Sequence, residues 1–480
     1  MDKQAVEKRT KRMPKQTGAL SSANENGQSM TAKKKINALL VKGFDKLGFE
    51  ADFESKDKEN TPATPLPQRA WEGVKSMASN TRTVMLNKAM AYDKPLFVLV
   101  IVLTIVGFIM MSSASYAYSY SKYGNSMYLI NRQFIFILIG IPAMLLISTI
   151  SPDKLRGKTS YILWAISIAL LVVVLFKQEK NGVHRWIGVG PLTFQPSEIA
   201  KFTAILVCAT YISYHYKEIN LMTYGSLKRK QKAAESKKYK YFYGLYRSFL
   251  TGVWPFMWRI LPILVLLVAE PHLSCTIIVM FIVGTLMLLS GTRREFFFTL
   301  LIIAAIGIYL IVFLGVVPYG RARVEMWLDP FADAKGDGWQ TVQSLYAISS
   351  GGIFGTGFGN SRQKYMYIAE PQNDFIFAVV CEEVGLVGAI VIILIFVAFV
   401  WRGFALSIAN PDRFRRFVGI GITSQIGYQM LLNIAVVTNM VPNTGISLPF
   451  FSYGGTSILM LLAEIGVLLA ISRSSPNKVM

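Results

Sequence analysis

The sequence predicts an all-α polytopic membrane protein of about ten transmembrane helices. Hydrophobic residues make up 52% of the 480 positions and charged residues only 16%, a composition too apolar for a soluble chain. From Pro95 onward, long apolar runs follow one another, and most could cross a bilayer. The lysines and arginines behind the net charge of +22 lie in short stretches between those runs. That pattern is typical of the positive-inside rule and argues against nucleic-acid binding.

Each predicted span is an apolar run bounded by polar residues. The fifth run is the weakest, because Trp258 and Arg259 interrupt it. The runs lie approximately at 95–117, 133–151, 160–176, 198–214, 254–270, 273–290, 296–317, 374–400, 416–438 and 452–472.

The chain divides into a tail and a membrane domain. Residues 1–92 are polar and basic, and we expect a largely disordered cytoplasmic tail. The membrane domain covers 93–480, and its first span should act as an uncleaved anchor. The segment 318–373, between spans seven and eight, is a long connection of the kind that is usually functional. Cys208, Cys275 and Cys381 lack CxxC spacing and indicate neither a metal site nor a disulfide framework.

The basic connections set the orientation. With ten spans they all fall on one side, which the positive-inside rule assigns to the cytoplasm together with both termini. The segment 318–373 is then extracytoplasmic. The connections are 153–158, 228–240, Arg293 with Arg294, and 413–416.

The stretch around the fourth span carries charge into the membrane. HRWIG at 184–188 precedes FQPSEIAK at 194–201, where Pro196 and Ser197 can start a helix. Glu198 and Lys201 would then lie one turn apart on one face, and pairing with each other or with a substrate would offset the cost of burying them. An ion pair that only orients two helices is an alternative of similar weight.

The long connection combines carboxylates with cations. It runs from Arg321 and Arg323 through DPFADAKGDGWQ, which contains Asp333, to Gln343. Transfer of a sugar from a lipid pyrophosphate needs a base for the attacking hydroxyl and cations or a metal for the departing phosphate. The residue types fit that chemistry, although acidic solvated loops are common.

Two glycine-rich stretches follow. GGIFGTGFGN at 351–360 lacks the preceding strand and the GK[ST] of a nucleotide-binding loop, so we expect a flexible re-entrant or amphipathic segment. Asp374 then precedes Glu382 and Glu383 by eight and nine residues, which on one continuous helix places it about two turns above them. LPFFSYGGTS at 448–457 predicts close packing of the last helix.

In this order, these stretches resemble the SEDS family of cell-wall proteins over residues 93–472. The matching stretches are GFIMMSSAS, HRWIG with FQPSEIAK, DPFADAKGDGWQTVQSL, GTGFGNSRQK, DFIFAVVCEEVGLVG and LPFFSYGGTS. The long tail and TGISLP at 444–449 look more like the FtsW branch than the RodA branch.

The resemblance implies a glycosyltransferase that extends peptidoglycan strands from lipid II beside a class B penicillin-binding protein, with other divisome proteins as partners. The family's essential loop carboxylate matches Asp333, and its loop lysine and acids match Lys364, Glu370 and Asp374. Two departures stand out: EPHLSC at 270–275, where the family usually reads QPDLGT, and Gln372 with Asn373 before Asp374. The first puts a role for that turn in doubt, and the second makes a protonatable residue at 372 dispensable.

The resemblance and the residue types together give a hypothesis for the chemistry. Asp333 would act as the base, or partly as a ligand of a divalent cation, Mg²⁺ or Mn²⁺. Arg185, Arg321, Arg323 and Lys364 are candidates for the phosphates. Glu198, Lys201, Gln343, Glu370 and Asp374 complete the candidate substrate-binding residues.

Other functions also fit these residues. A flippase for the lipid-linked precursor would also use charged residues within the membrane, namely Glu198, Lys201, Glu382 and Glu383. The many charged residues of the extracytoplasmic segment 318–373 favour a transferase instead. A RodA-like elongation polymerase and a scaffold with a vestigial cavity are further alternatives. For the division role, the expected location is the bacterial inner membrane at the septum.

Overall fold

The computed structural model describes residues 92–176, 185–189, 192–221, 237–299, 302, 306, 324–336 and 338–474. The tail, Arg321, Arg323, Asp337 and most of the seventh predicted span lie outside these residues. So does the larger part of the basic connection at 228–240.

The described chain is built from helices and one short hairpin, which confirms the all-α membrane class. The hairpin, β1 (Ile187–Val189) and β2 (Leu192–Phe194), pairs Ile187 with Phe194 and was not predicted. The helices are α1 (Lys94–Tyr123), α2 (Tyr128–Thr149), α3 (Lys158–Leu175), α4 (Pro196–Leu221), α5 (Lys237–Gly252), α6 (Trp254–Ala269), α7 (Leu273–Ser290), α8 (Trp339–Gly351), α9 (Ile376–Ile408), α10 (Arg413–Val437) and α11 (Gly455–Ser472).

Nine of the ten predicted runs coincide with helices among the described residues, and the seventh run falls mostly outside them. Seven of these helices are long and apolar enough to cross a membrane, and the bent pair formed by α6 and the end of α5 would be an eighth. The pair bends by 46°, at the run that the sequence marked as weakest. The total of ten spans stays a prediction.

Local chemistry explains where α1 begins and ends. The Asp93 carboxylate accepts a hydrogen bond from the Leu96 amide at 2.9 Å, and Pro95 occupies the first turn, where its missing N–H costs nothing. The helix ends at Tyr123 and is capped by Gly124, whose φ of 68° is left-handed and suits glycine.

Ion pairs join several helix ends at one end of the bundle. Asp93, before α1, pairs at 2.6 Å with Arg402 of α9, and its amide donates to Ser472 at the end of α11. Asp153 pairs with Arg415 at the start of α10. The connections at 153–158 and 413–416 therefore lie at the same end, which we call the basic end, as the predicted topology requires.

Close packing of the last helix follows from its glycines. A Cβ on Gly455 would lie 2.1 Å from the Phe136 ring of α2, and one on Gly466 would lie 2.7 Å from the Met144 carbonyl. The prediction that the last helix packs closely is therefore confirmed.

The helix α9 is interrupted, which the sequence did not predict. Gly385 has φ 66° and ψ −170°, so the normal hydrogen bonds across it are lost. The glycine-rich segment 351–360 replaces them: Thr356 and Gly357 donate to the carbonyls of Glu382 and Glu383 at 2.9 and 3.1 Å. In return, the amides of Leu386 and Val387 donate to Gly352 and Ile353 at 3.0 and 3.1 Å.

Two expectations change as a result. The glycine-rich segment is fastened to α9 by backbone hydrogen bonds and is not a free flap. Asp374 lies in the turn before α9, which begins at Ile376, so the prediction that it shares a continuous helix with Glu382 and Glu383 is wrong.

Candidate functional site

A cavity of about 250 Å³ lies at the end of the bundle opposite the basic end. The residues on either side of the hairpin, the turn before α7, the turn before α9 and the loop before α11 surround it, while α4 and α10 form its walls. We call it the central cavity. Its polar lining includes Arg185, Gln195, Glu198, Lys201, His272, Glu370, Asn373, Asp374, Gln425 and Gln429.

The predicted pair of charges on α4 is present. The Lys201 ammonium nitrogen lies 2.9 Å from both oxygens of the Glu198 carboxylate, and Lys201 is only 1% exposed. The helix begins at Pro196, as predicted, and this start places the two side chains one turn apart. Pairing offsets the cost of burying a lysine.

Glu370 and Asp374 form the acidic side of the cavity. Glu370 accepts hydrogen bonds from the Tyr118 hydroxyl at 3.2 Å and from the Asn373 amide nitrogen at 2.6 Å. Asn433 of α10 donates to the backbone carbonyl of Asp374 at 2.7 Å. Burial, and secondarily the negative charge of Glu370, raises the pKa of Asp374 to about 6, whereas Arg185 opposes the rise.

The turn between α6 and α7 adds two buried titratable groups. Burial raises the pKa of Glu270 to about 8, with Arg185 opposing. Burial, with the positive charges of Arg185 and Lys201, lowers the pKa of His272 to about 3. The His272 imidazole is therefore neutral at physiological pH. The Arg185 guanidinium donates to the carbonyl of Pro271, which links this turn to the hairpin.

Lys364 lies outside the cavity lining and is already paired. Its ammonium nitrogen is 2.8 Å from the Glu383 carboxylate and 2.9 Å from the Ser113 hydroxyl of α1. Glu382 accepts a bond from the Arg362 amide at 2.8 Å and another from the Ser361 hydroxyl. The two glutamates on α9 thus hold the segment that follows the glycines.

Asp333 and Gln343 also lie apart from the cavity lining. Asp333 is exposed on a turn and accepts a hydrogen bond from the Gly336 amide at 3.0 Å. Gln343 is buried on α8. The structure therefore brings Arg185, Glu198, Lys201, Glu370 and Asp374 together and places Asp333, Gln343 and Lys364 elsewhere.

Sequence reasoning missed a polar group behind the cavity wall. The Gln425 amide nitrogen of α10 donates to the Glu464 carboxylate of α11 at 2.8 Å, and both residues are buried. Two features could have indicated them: Gln425 and Gln429 are spaced by one helical turn, and Glu464 is the only acid in the last apolar run.

The described residues do not form a metal site by themselves. No group of three or more His, Cys, Asp or Glu side chains among them could hold an ion. Of the carboxylates in the cavity lining, Glu198 is paired with Lys201. Glu370 and Asp374 alone supply fewer ligands than a protein-only Mg²⁺ or Ca²⁺ site uses.

Known proteins resemble this chain over nearly all of its membrane domain. Residues 93–477 match the FtsW/RodA/SpoVE family of cell cycle proteins. Stage V sporulation protein E of Bacillus subtilis (strain 168) is 35% identical over 398 residues, which cover 82% of this chain and 100% of that protein. A probable peptidoglycan glycosyltransferase FtsW of Trichlorobacter lovleyi is 32% identical over 385 residues, 79% of this chain and 93% of that protein.

Solved structures agree. A chain from a peptidoglycan synthase complex, described as coordinating polymerization and crosslinking, superimposes with a TM-score of 0.60 at 26% identity and covers 81% of this chain and 100% of its own. The rod shape determining protein RodA of Thermus thermophilus superimposes with a TM-score of 0.53 at 25% identity. The match covers 81% of this chain and 99% of the RodA chain. The expected resemblance is confirmed: this multi-pass bacterial membrane protein belongs to the FtsW/RodA/SpoVE family of cell cycle proteins.

Proposed function

We propose that this protein is a peptidoglycan glycosyltransferase that polymerises lipid II into glycan strands during cell division and releases undecaprenyl pyrophosphate. Its family membership supports this function, as do relatives named as peptidoglycan glycosyltransferases and a structural neighbour from a peptidoglycan synthase complex.

The observation that carries the proposal is the charge pattern of the central cavity. Arg185, Glu370, Asp374 and the pair of Lys201 with Glu198 all line the cavity. Cations suit the pyrophosphate of a lipid-linked sugar, and carboxylates suit its hydroxyl groups. A cavity that holds both cations and carboxylates, at one end of a membrane-spanning bundle, fits a substrate whose lipid stays in the bilayer.

The proposed reaction is an inverting transfer. The Asp333 carboxylate takes the proton from a GlcNAc hydroxyl of lipid II, and that oxygen forms a bond to the anomeric carbon of the growing strand. The bond from this carbon to the pyrophosphate breaks, and undecaprenyl pyrophosphate leaves. Asp333 would act on the sugar that projects beyond the cavity, since its turn is exposed. Arg185 would bind phosphate, together with Arg321 and Arg323.

A divalent cation, Mg²⁺ or Mn²⁺, forms part of the proposal. Because the described residues supply no three-ligand group, the cation would bind together with the substrate pyrophosphate, as Mg²⁺ commonly does. Chelation with EDTA should then abolish polymerisation without changing the melting temperature of the substrate-free protein. A fall in melting temperature on chelation would instead indicate a resident structural ion.

The proposed partners are a class B penicillin-binding protein and other divisome proteins, and the proposed location is the division septum of the inner membrane, with both termini in the cytoplasm. A fluorescent fusion at the septum is the expected result. A fusion spread along the side wall would favour the elongation role of a RodA-like polymerase.

The decisive experiment is an assay with purified protein, its penicillin-binding partner, lipid II and Mg²⁺ or Mn²⁺. We expect glycan strands on a gel. If no strands form while lipid II moves between the leaflets of proteoliposomes, the protein is a flippase and the proposed activity is wrong.

A further inference from the structure

Two amide side chains in the central cavity are each oriented by a carboxylate. The Gln425 amide nitrogen donates to Glu464 at 2.8 Å, and the Asn373 amide nitrogen donates to Glu370 at 2.6 Å. In both contacts the carboxyl oxygen is the acceptor and the side-chain amide nitrogen is the donor. Each carboxylate therefore holds the nitrogen of its amide and turns the carbonyl oxygen away.

The two carbonyl oxygens have no hydrogen-bond partner among the described residues. The Oε1 atom of Gln425 and the Oδ1 atom of Asn373 are both buried and unpaired, as is the Nδ1 atom of His272. All three residues line the central cavity, and Gln425 is only 1% exposed. Buried polar atoms are normally paired, so this cluster calls for a ligand that donates hydrogen bonds.

The cavity thus offers two chemistries. Arg185 suits an anion, whereas the carbonyls of Gln425 and Asn373 suit hydroxyl or amide N–H groups. The ionised oxygens of a phosphate cannot satisfy a carbonyl, because both only accept hydrogen bonds. An N-acetylated sugar carries several hydroxyls and an amide N–H.

We propose that Gln425 and Asn373 form a sugar-recognition subsite that accepts hydrogen bonds from the N-acetylated sugar of the substrate, and that Glu464 is a positioning residue acting through Gln425. This inference rests on the proposed function, because it specifies how lipid II is recognised. Glu370 plays the corresponding role for Asn373.

The first test compares two ligands that share the lipid pyrophosphate. Dissociation constants for lipid II and for undecaprenyl pyrophosphate, which lacks the sugars, are measured on the full-length protein in detergent. In Gln425→Met, which keeps the side-chain length, lipid II should bind about tenfold more weakly, as for the loss of one buried hydrogen bond, while undecaprenyl pyrophosphate binds unchanged. Gln425→Leu serves if the first variant does not fold.

The matched control is Ser424→Ala. Ser424 is the neighbouring buried residue on α10 and also has an unpaired oxygen, but it does not line the cavity. Both ligands should bind this variant as they bind the wild type.

The second test separates orientation from charge. Glu464→Leu should weaken lipid II binding several-fold, whereas Glu464→Gln should bind almost normally because its amide oxygen can still accept from Gln425. In the Gln425→Met background, Glu464→Leu should have no further effect on lipid II.

Three results would overturn the inference. In the first, Gln425→Met binds lipid II as tightly as the wild type, as it would if water filled the subsite. In the second, Gln425→Met binds lipid II and undecaprenyl pyrophosphate more weakly by the same factor. In the third, the effects of Glu464→Leu and Gln425→Met on lipid II binding are additive in the double variant. A wild type that binds lipid II but makes no strands would contradict the proposed activity and leave the binding comparison intact.

Discussion

The turn that carries Asp333 is tightly wound around its carboxylate. A Cβ on Gly336 would lie 2.1 Å from the Oδ2 atom of Asp333, and a Cβ on Gly338 would lie 2.3 Å from the Pro330 carbonyl. The glycines therefore let the chain close around Asp333 while its side chain stays exposed. Such a turn can present a carboxylate to a substrate at the protein surface.

The first prediction concerns the base. Asp333→Asn keeps the size of the side chain and its acceptor for the Gly336 amide but removes basicity, and loss of a general base typically lowers a rate by about 10²–10⁴-fold. Strand formation from lipid II, measured on gels, should fall by that range. Asp329→Asn is the control, because Asp329 accepts a hydrogen bond from the Phe331 amide at 3.1 Å, which asparagine can also do. Wild-type rates in a folded Asp333→Asn protein would show that another group is the base.

The pair on α4 gives the second prediction. Glu198→Ala and Lys201→Ala should each abolish polymerisation and lower stability by about 3–5 kcal/mol, because each leaves a buried charge unpaired. The exchange Glu198→Lys with Lys201→Glu should partly restore the melting temperature. Mild and additive single effects would mean that water compensates both charges.

The third prediction concerns pH. Asp374 has a pKa of about 6, so it is protonated below this pH and ionised above it. If its carboxylate takes part in substrate binding, kcat/KM for lipid II should fall as the pH is lowered through about 6. Glu370→Gln removes a neighbouring negative charge, which lowers the pKa of Asp374 and moves this acid limb to lower pH. Glu218→Gln, in the last turn of α4, is the control and should leave the pH of this fall in kcat/KM unchanged. If Glu370→Gln also leaves it unchanged, the fall does not arise from protonation of Asp374.

At the residue scale, the sequence predicted contacts within one element better than contacts between elements. The pair of Glu198 and Lys201 follows from spacing on a single helix. The bond between Gln425 and Glu464 depends on how α10 and α11 face each other, which local spacing does not determine. Lys364 was predicted to bind phosphate, but nothing local indicates that Glu383, on a different element, holds it.

At the scale of elements, the break in α9 depends on glycines. A Cβ on Gly385 would lie 2.3 Å from the Gly355 amide and 2.6 Å from the Ile353 carbonyl, and its φ and ψ are accessible essentially to glycine alone. The sequence predicted one continuous span here because the apolar run is unbroken. The break arises from hydrogen bonds to a segment some thirty residues earlier, which hydropathy does not report.

The fourth prediction tests this junction. Gly385→Ala should lower the free energy of unfolding by at least about 1–3 kcal/mol, seen as a lower melting temperature in detergent. Gly427→Ala is the control: its Cβ would lie 3.4 Å from Val400, and alanine favours a helix over glycine. Equal melting temperatures for the two variants would contradict the strain at Gly385.

At the scale of the whole molecule, hydropathy predicted most of the architecture, because lipid requires long apolar helices. The hairpin escaped prediction because three-residue strands have no periodicity to detect. The ion pair of Asp153 with Arg415 places two basic connections at one end, while the central cavity lies at the other.

The fifth prediction fixes the orientation. In a protein lacking Cys208, Cys275 and Cys381, a single cysteine at Lys335 should react with an impermeant reagent in intact spheroplasts. Cysteines at Lys232 and Lys154 should react only after lysis. The reverse pattern would invert the topology and place Asp333 on the side away from the growing wall.

The exchange of hydrogen bonds at Gly385 also makes the junction observable. Amide hydrogens in the middle of a helix normally exchange with solvent only when that helix opens. Those of Leu386 and Val387 are instead held by the carbonyls of Gly352 and Ile353. Their deuterium uptake would therefore report the release of the glycine-rich segment while the rest of α9 stays protected, so two positions could serve as built-in reporters of whether this segment moves when lipid II binds.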